Sequence, residues 1–368
     1  MTTALLAESV DTPALLVDLP RLRRNIQGFA SITQAAGINL RPHVKTHKTL
    51  EIARLQREAG AVGLTVAKLA EAEVFADAGF DDIFVAYPII GSLKWSRAAR
   101  LAQRCRLTVG AESSTGIQGL GRAATDRGAV IHVRVEFDSG LHRSGAGTSD
   151  LESLCRQVME TPGLRLDGIF TFRSSAFDGS AGRTAAELGA EEGIMLASLA
   201  EGLRASGIPI AAVSGGSTPT GAATASTPGV SEVRPGTYVF QDRMTLADGA
   251  CSADDIALTV LTTVVSRPSS DIAIVDAGSK TLAADVDPGS AGLQGYAEER
   301  QGRGYVEWLN EEHGAVRLRG DYQPVVGEAM ELIPNHVCTV VNLSPELVVV
   351  ERGTVLERWP VVAGLCRT

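Results

Sequence analysis

The sequence predicts an α/β fold: a TIM-like (β/α)8 barrel followed by a mostly antiparallel β domain. Two features of the chain predict it. Over residues 13–248, short apolar segments alternate with longer segments whose apolar residues recur at helical spacing, as in repeated strand and helix units. After Gly249 the chain changes to β-branched runs separated by Gly, Pro and Asp, which is typical of antiparallel strands. We therefore expect a barrel domain at 13–248 and a β domain at 249–368, to which residues 1–12 also contribute.

The predicted strands and helices follow one another in a regular order. Gly37 ends the first predicted helix, whose apolar residues recur at helical spacing: Leu22, Ile26, Phe29 and Ile32. The predicted barrel strands lie at 38–45, 82–87, 106–110, 130–137, 164–171 and 208–214, with helices between most of them. The strands of the β domain are predicted at 256–265, 272–275 and 346–351. Residues 12–18 also form a strand pattern, and the sequence alone leaves open which domain contains it.

Composition and charge limit the class of protein. The chain has 368 residues, a formal net charge of -9 and a pI near 5.3, so its surface would repel nucleic acid and anionic membranes. No apolar run approaches the ~20 residues that cross a bilayer, and residues 1–10 lack the basic start of a signal peptide. The five cysteines are widely scattered, which disfavours a secreted disulfide framework. We expect a cytoplasmic protein that binds a small molecule and neither nucleic acid nor a membrane.

Lys45 is the first candidate for chemistry. It lies where the predicted strand at 38–45 gives way to a helix, and the carboxyl ends of barrel strands are where active sites assemble. A lysine amine at a partly buried barrel mouth has a lowered pKa and can form an imine with an aldehyde. The alternative is a surface lysine in a basic stretch, because Lys48 follows closely. His43 and His47 share strand parity with Lys45 and receive no role.

The segment around Lys45 resembles a known cofactor site. Residues 41–49, Arg-Pro-His-Val-Lys-Thr-His-Lys-Thr, resemble the lysine segment of the D-serine dehydratase and D-threonine aldolase family, which belongs to the alanine-racemase-like (fold-type III) enzymes that use pyridoxal 5'-phosphate (PLP). The resemblance implies that Lys45 carries PLP as a Schiff base. It extends from about Thr12 to the C-terminus, through family-like blocks at 277–282, 311–314 and Trp359.

A Gly-Ser loop follows an apolar run late in the predicted barrel. Its backbone N–H groups could bind a phosphate, and barrel phosphate sites favour the loops after the last strands; the candidates are Gly215, Gly216, Ser217 and Thr218. An ordinary turn is the alternative. The family resemblance of residues 232–238 implies that Gly236, Thr237 and Tyr238 complete the site.

Two arginines are further cofactor candidates by resemblance. The block 138–145, Asp-Ser-Gly-Leu-His-Arg-Ser-Gly, is similar to the family segment in which an arginine reaches the cofactor from a strand end, which implies this role for Arg143. A surface salt bridge is the alternative for Arg143. In alanine racemases an arginine at the place of Arg234 faces the pyridine nitrogen.

His336 and Cys338 are spaced as a candidate metal pair. On an extended strand, side chains two residues apart point to one face, and an N and S pair suits zinc. The spacing alone is weak evidence. In the resembled family a His-x-Cys or His-x-Asp pair at this position binds a divalent cation beside the substrate, with Cys typical of the dehydratases. The resemblance thus implies a divalent cation; the donor types favour zinc, with manganese or magnesium as alternatives.

One segment departs from the family pattern. Where many relatives have Gly-His-x-Tyr, residues 171–177 read Thr-Phe-Arg-Ser-Ser-Ala-Phe, so the hydrogen bonds of that histidine and tyrosine must be absent or replaced. Arg173 could instead pair with a carboxylate of the substrate. Lys280 is interpreted as structural because it lies in the β domain.

The resemblance implies a PLP- and metal-dependent lyase for β-hydroxy-D-amino acids, D-serine dehydratase-like, converting D-serine to pyruvate and ammonia. In this hypothesis Lys45 removes the α-proton while the metal withdraws charge from the β-hydroxyl. Retro-aldol cleavage to glycine and an aldehyde, as in D-threonine aldolase, is one alternative, and a metal-free amino acid racemase is another. A single-barrel PLP-holding protein is disfavoured by the β domain. The family implies a homodimer.

Overall fold

The computed structural model describes residues 3, 6, 8–173, 182–289, 292–366 and 368. The chain divides into two compact units. The barrel unit comprises Gly28–Lys45, Ile52–Gly236 and Cys366–Thr368, and the β unit comprises Met1–Gln27, Thr46–Glu51 and Thr237–Leu365. Within the described residues, no helix is both long and apolar enough to span a bilayer.

Strands and helices alternate along most of the chain. The strands before the β domain are β1 Ala14–Asp18, β2 Asn39–Leu40, β3 Leu64–Val66, β4 Asp82–Pro88, β5 Arg106–Ala111, β6 Ile131–Glu136, β7 Leu164–Phe170, β8 Ala212–Gly215 and β9 Glu232–Val233. The helices are α1 Leu19–Ala36, α2 Leu50–Glu58, α3 Leu69–Asp77, α4 Ser92–Leu101, α5 Ser114–Arg127, α6 Leu151–Glu160, α7 Ala185–Ala205 and α8 Gly221–Ala225. From β2 to β8, one helix follows each strand.

The barrel unit contains a closed sheet of eight parallel strands. Their order is β2-β9-β8-β7-β6-β5-β4-β3, and a parallel bridge between His43 and Thr65 joins the two ends. The middle strands are almost continuously buried, as expected of a parallel sheet that is covered on both faces. The predicted TIM-like barrel is confirmed.

The strand predicted at 38–45 is much shorter in the structure. Only Asn39–Leu40 pairs as a strand, and Val44–Thr46 forms a 3-10 turn. Pro42 explains the difference, because it has no N–H to donate to a sheet ladder and its ring fixes φ. Lys45 therefore lies on a tight turn.

The interior of the barrel unit contains charged side chains. Glu232 accepts from Arg41 Nε at 2.8 Å and from Arg134 Nη1 at 2.5 Å. Two further carboxylates complete the network: Asp82 accepts from Arg41 at 2.7 Å, and Asp167 accepts from Arg134 at 2.7 Å. Burial alone would raise the pKa of Glu232, but the two arginines hold it far below its ordinary value. Each of the two buried arginines is thus paired with two carboxylates.

The β unit contains a nine-stranded sheet. After the short helix α9 Arg243–Ala247, its strands are β10 Leu258–Ser269, β11 Ile272–Val275, β12 Ala297–Glu299, β13 Gly304–Leu309, β14 Gly314–Leu318, β15 Ala329–Pro334, β16 Glu346–Glu351 and β17 Thr354–Pro360, with helices α10 Ser279–Leu282 and α11 Val337–Leu343 between them. The order is β11-β14-β13-β12-β15-β10-β1-β16-β17, and β10 also pairs with β11, which closes six strands into a barrel. Every pairing is antiparallel except that of β1 with β16, which confirms a mostly antiparallel domain.

The limits of the two units differ from the predicted boundaries at both ends of the barrel. β1 lies between β10 and β16, so it belongs to the sheet of the β unit although the predicted barrel domain begins at residue 13. Its three central residues are all buried, and two-sided burial gives no alternation from which the sequence could assign the strand. The β unit also begins earlier than predicted, because Met244 N donates to Asn335 O at 3.2 Å and Asp242 accepts from Val337 N at 3.1 Å.

The ionic network generates a stability prediction. We expect Glu232→Gln to destabilise the protein by about 3–5 kcal/mol, because two buried guanidinium groups lose their shared counter-charge. The measurement is urea denaturation followed by circular dichroism. Glu152→Gln is the matched control, since Glu152 pairs with Arg156 on an exposed helix face, and it should leave the midpoint almost unchanged. If the two variants unfold at the same urea concentration, the ionic network around Glu232 does not stabilise the fold as proposed.

Candidate active site

Lys45 faces a cavity of about 370 Å³ within the barrel unit. The cavity is lined by side chains from the carboxyl ends of several strands: His43, Lys45, Tyr87, Glu112, Glu136, Arg143, Ser144, Phe170, Phe172 and Arg234, with Ala67, Ala86 and Pro88. The backbone N–H of Lys45 donates to His43 Nδ1 at 3.4 Å, and its Nζ lies 5.8 Å from the centre of the Phe172 ring. The cavity thus brings together three of the cations selected from the sequence, Lys45, Arg143 and Arg234.

Arg234 is fixed at the floor of this cavity. Its guanidinium donates to Thr171 O at 2.6 Å and to Ser214 Oγ, and its backbone N–H donates to Gly215 O at 3.1 Å. Ser214 Oγ in turn donates to Glu232 Oε1 at 2.7 Å, which connects Arg234 to the buried ionic network. Burial lowers the pKa of Arg234 to about 10, despite the opposing influence of Glu232. Arg234 therefore presents a rigid donor.

The predicted phosphate loop, Gly215 to Thr218, is shaped by a carboxylate that the sequence analysis missed. Glu192 is fully buried on α7 and accepts from Gly216 N at 3.1 Å and from Thr220 Oγ1 at 3.2 Å. Burial raises its pKa. Gly216 has φ +72°, and a Cβ there would lie 2.9 Å from Val233, so only glycine fits the turn. An acidic residue on an otherwise apolar helix face was the available signal.

Hydrogen bonds within the loop Gly215 to Thr218 already occupy some of the backbone N–H groups that a phosphate could use. Gly216 N is used by Glu192, and Ser217 N donates to Thr220 Oγ1 at 2.9 Å. The side chains of Ser217 and Thr218 are buried. The other predicted contacts fall in different units: Gly236 ends a segment of the barrel unit, whereas Thr237 and the buried Tyr238 belong to the β unit.

Glu136 is a second carboxyl group that the sequence analysis missed. It ends β6 and is 4% exposed; Oε1 accepts from Ser144 Oγ at 3.1 Å, while Oε2 has no hydrogen-bond partner among the described residues. Burial raises the pKa of Glu136 to about 7, and Glu112 adds to the rise although Ser144 and Arg143 oppose it. The guanidinium of Arg143 lies 4.8 Å from the centre of the Phe172 ring, on the same cavity. An acid that titrates near neutral pH is thus part of the cavity wall.

The metal pair is close in space, but its backbone is not the predicted strand. β15 ends at Pro334, His336 is the N-cap of α11, and Cys338 lies in the first turn of that helix. The pair still meets, because the imidazole hydrogen-bonds to the Cys338 side chain. The sulfur also lies 3.2 Å from Thr46 Oγ1 and 3.8 Å from Thr237 Oγ1.

The electrostatics of the pair suit a cation. Burial acts to lower the pKa of His336, but the neighbouring Cys338 side chain and the carboxylate of Asp285 raise it to about 11. The proton that the imidazole holds is one that a divalent metal would displace. Among the described residues, no cluster of three or more His, Cys, Asp or Glu is arranged to hold an ion, so the pair offers two protein ligands.

Other residues selected from the sequence have different partners. Lys280 is exposed and donates to Glu312 at 2.6 Å, in keeping with its interpretation as structural. Arg173 pairs with Glu191 at 3.1 Å, so part of its charge is already matched within the protein. His47 is buried and accepts from Thr49 N at 3.2 Å. Residues 174–177 of the divergent segment lie outside the described residues.

Comparison with known families matches almost the whole chain. The model described as "Alanine racemase, N-terminal domain" matches residues 17–244, and the "Putative serine dehydratase domain" matches residues 257–350. A D-threo-3-hydroxyaspartate dehydratase of Delftia sp. (strain HT23) is 35% identical over 97% of this chain and 98% of its own. A D-threonine aldolase of Arthrobacter sp. is 32% identical over 96% and 93%, and a D-serine dehydratase of Dictyostelium discoideum is 30% identical over 78% and 76%.

Solved structures of enzymes with the same names superpose on nearly the whole chain. The D-threonine aldolase from Filomicrobium marinum superposes with a TM-score of 0.88 at 32% identity, covering 97% of this chain and 96% of that one. A cysteine-to-alanine mutant of a D-threo-3-hydroxyaspartate dehydratase, in the metal-free form, has a TM-score of 0.87 at 33% identity and covers 97% and 98%.

The raised pKa of Glu136 generates a pH prediction. Its ordinary value is 4.5, so the folded state holds a proton up to about pH 7 that the unfolded state has already released. The associated stability is fully present below pH 4.5 and is lost as the pH rises through 7. Between pH 4.5 and 8 we expect the free energy of unfolding of the cofactor-free wild type to fall by roughly 3 kcal/mol more than that of the Glu136→Gln variant.

Denaturant unfolding across this pH range measures the difference. Glu201→Gln, an exposed position on α7, is the control and should follow the wild type. If Glu136→Gln and the wild type show the same pH dependence, the carboxyl group does not titrate near neutral pH.

Proposed function

The chain belongs to the alanine-racemase-like PLP enzymes of the D-serine dehydratase and D-threonine aldolase family, and on this premise we propose that it is a PLP- and divalent-metal-dependent lyase for β-hydroxy-D-amino acids, of the D-serine dehydratase type. The observation that carries the proposal is the cavity in which Lys45, Arg143 and Arg234 converge, in a chain whose relatives are lyases along its full length.

The residues of the cavity fit PLP. Lys45 provides the amine for the aldehyde, and Arg234 provides a fixed, fully buried donor suited to the pyridine nitrogen. We propose Gly215, Gly216, Ser217 and Thr218, at the end of β8, as the phosphate site of the barrel unit, because barrel phosphate sites favour the loops after the last strands. The amides of Gly216 and Ser217 donate to Glu192 and Thr220, so a phosphate bound there would replace these internal bonds. Gly236, Thr237 and Tyr238 stay the further contacts that the family resemblance implies. Bound PLP supplies an electron sink for the negative charge that develops at the substrate α-carbon.

The chain's own groups then hold and move the protons. Lys45 would hold PLP through its aldehyde, and with substrate bound its Nζ would be the base that accepts the α-proton. Arg143 is positioned by the aromatic face of Phe172 to bind an oxygen of the cofactor or substrate. Loss of the α-proton and the β-hydroxyl as water would convert D-serine to an enamine, whose imine tautomer reacts with one water to give pyruvate and ammonia.

The donor set of His336 and Cys338 fits a divalent cation. Imidazole nitrogen and thiolate sulfur suit zinc, with manganese or magnesium as alternatives, and two protein ligands leave positions open for water or substrate. A cation held there supplies Lewis acidity for a substrate hydroxyl. The metal-free form of a related dehydratase, obtained with a cysteine replaced, supports metal dependence.

Cys338 favours the dehydratase over the aldolase, since the family resemblance links cysteine at this position to dehydratases. Retro-aldol cleavage to glycine and an aldehyde remains the second candidate, because a D-threonine aldolase is 32% identical over nearly the whole chain. A metal-free racemase is the third.

We also propose a homodimer in the cytoplasm. The dimer rests on the family resemblance, and light scattering that shows a fully active monomer would refute it. The compartment rests on the five cysteines, none of which is in a disulfide bond in the part of the chain that the structure describes.

A spectrum tests the role of Lys45. After incubation with PLP and dialysis, we expect the wild type to keep a visible absorbance band that Lys45→Ala lacks, because the variant has no amine to bind the aldehyde. Lys280→Ala is the matched control, since Lys280 lies on the surface in a pair with Glu312, and it should keep the band. A band that persists in Lys45→Ala, or disappears in Lys280→Ala, contradicts the assignment.

Metal removal and product analysis separate the three activities. We expect chelation to abolish the release of pyruvate from D-serine and added zinc to restore it. With D-threonine, 2-oxobutanoate identifies a dehydratase, whereas glycine with acetaldehyde identifies an aldolase. Activity that survives complete removal of metal, verified by elemental analysis, rules out both lyase routes, and interconversion of D- and L-amino acids would then identify a racemase.

A further inference from the structure

Asp285 makes two side-chain contacts at the metal pair. It lies between α10 and β12 in the β unit, and its Oδ2 is 2.9 Å from His336 Nδ1. Its other oxygen, Oδ1, accepts from Thr339 Oγ1 at 2.8 Å. Both carboxylate oxygens are thus engaged, one by the histidine and one by the residue that follows Cys338.

The contact with His336 determines which ring nitrogen can bind an ion. An imidazole that donates Nδ1–H to a carboxylate keeps its lone pair on Nε2, so a neutral His336 is held in the tautomer that ligates through Nε2. The same carboxylate makes that nitrogen a stronger electron donor.

The contact with Thr339 connects the carboxylate to the other ligand. Thr339 and Cys338 lie in the first turn of α11, and Thr339 Oγ1, whose proton goes to the nearer Asp285 oxygen, also lies 3.1 Å from His336 O. Because Asp285 bonds the ring of His336 and the side chain beside Cys338, it fixes the imidazole relative to the turn that carries the thiol.

A second carboxylate near His336 has a different task. Asp242 is fully buried, and its oxygens accept from Val337 N at 3.1 Å and from Thr245 N at 2.9 Å. Asp242 therefore accepts hydrogen bonds from the backbone, whereas Asp285 accepts the hydrogen bond from the His336 ring.

We propose that Asp285 is a positioning residue for the metal pair: it holds His336 in the tautomer and orientation in which Nε2 and the Cys338 thiolate receive one divalent cation. The proposal rests on the metal dependence proposed above. Loss of such a carboxylate partner typically costs 10–100-fold in metal affinity. Its effect is on ion binding, so PLP binding should not change.

Zinc affinity measured by competition with a chelating indicator tests the proposal directly. The samples are the full-length wild type, Asp285→Ala, Asp285→Asn and Thr339→Val, each with PLP bound and stripped of metal. We expect a loss of about 10–100-fold for Asp285→Ala, a smaller loss for Asp285→Asn, which keeps an acceptor without the charge, and a smaller loss for Thr339→Val. The control, Glu312→Gln, changes an exposed carboxylate of the same unit and should bind like the wild type.

Cobalt provides a second readout that does not depend on activity. Co²⁺ bound to a thiolate gives a charge-transfer band, which we expect in the wild type and, only at higher Co²⁺ concentration, in Asp285→Ala. The visible PLP band should be equal in all variants, and it also verifies that each one is folded. Wild-type affinity in Asp285→Ala and Asp285→Asn overturns the inference. Absence of zinc binding by the wild type itself overturns the metal dependence on which the inference rests.

Discussion

The buried carboxylate of Glu232, held between Arg41 and Arg134, is the interaction on which the interior of the barrel unit depends. Removing three charged groups from water is expensive, and the cost is offset only because each charge has a close partner of opposite sign. The same carboxylate accepts from Ser214, whose hydroxyl accepts from Arg234. The core network therefore also fixes the orientation of the arginine at the floor of the cavity.

The cavity combines this fixed cation with the carboxyl group of Glu136, whose pKa burial raises to about 7. Lys45, Arg143 and Arg234 provide positive charge for an anionic ligand. The carboxyl groups of Glu112 and Glu136 on the same cavity offset part of that positive charge. Glu136 has an oxygen without a hydrogen-bond partner among the described side chains, and a buried oxygen of this kind is favoured only if it is protonated or meets a ligand donor. In the β unit, His336 and Cys338 offer the N and S donors that zinc prefers, with Asp285 behind the imidazole.

The sequence was sufficient to predict residues whose position follows from the ends of strands. Lys45, which follows β2, was selected by its place at a strand end, whereas Arg143, which follows β6, was selected by family resemblance; a parallel barrel gathers such ends at one rim, and both residues line the same cavity. The sequence was not sufficient for Glu192 and Asp285, whose partners lie 24 and 51 residues away in the chain, or for Glu136, whose raised pKa depends on its burial. The backbone differs from two local predictions. Pro42 shortens the strand before Lys45. After His336 the chain forms helix α11, although the β-branched residues that follow favour a strand. His336 and Cys338 still meet, since residues two apart across a helix start are also close neighbours.

The central claim is that the Lys45 amine forms the covalent bond to PLP. Borohydride reduction of the PLP-loaded enzyme, followed by proteolysis and mass spectrometry, tests it most directly, because reduction makes the bond permanent. We expect one phosphopyridoxyl group per chain, on the peptide that contains Lys45. A label on another lysine, or no label in an enzyme that retains its visible absorbance, would contradict it.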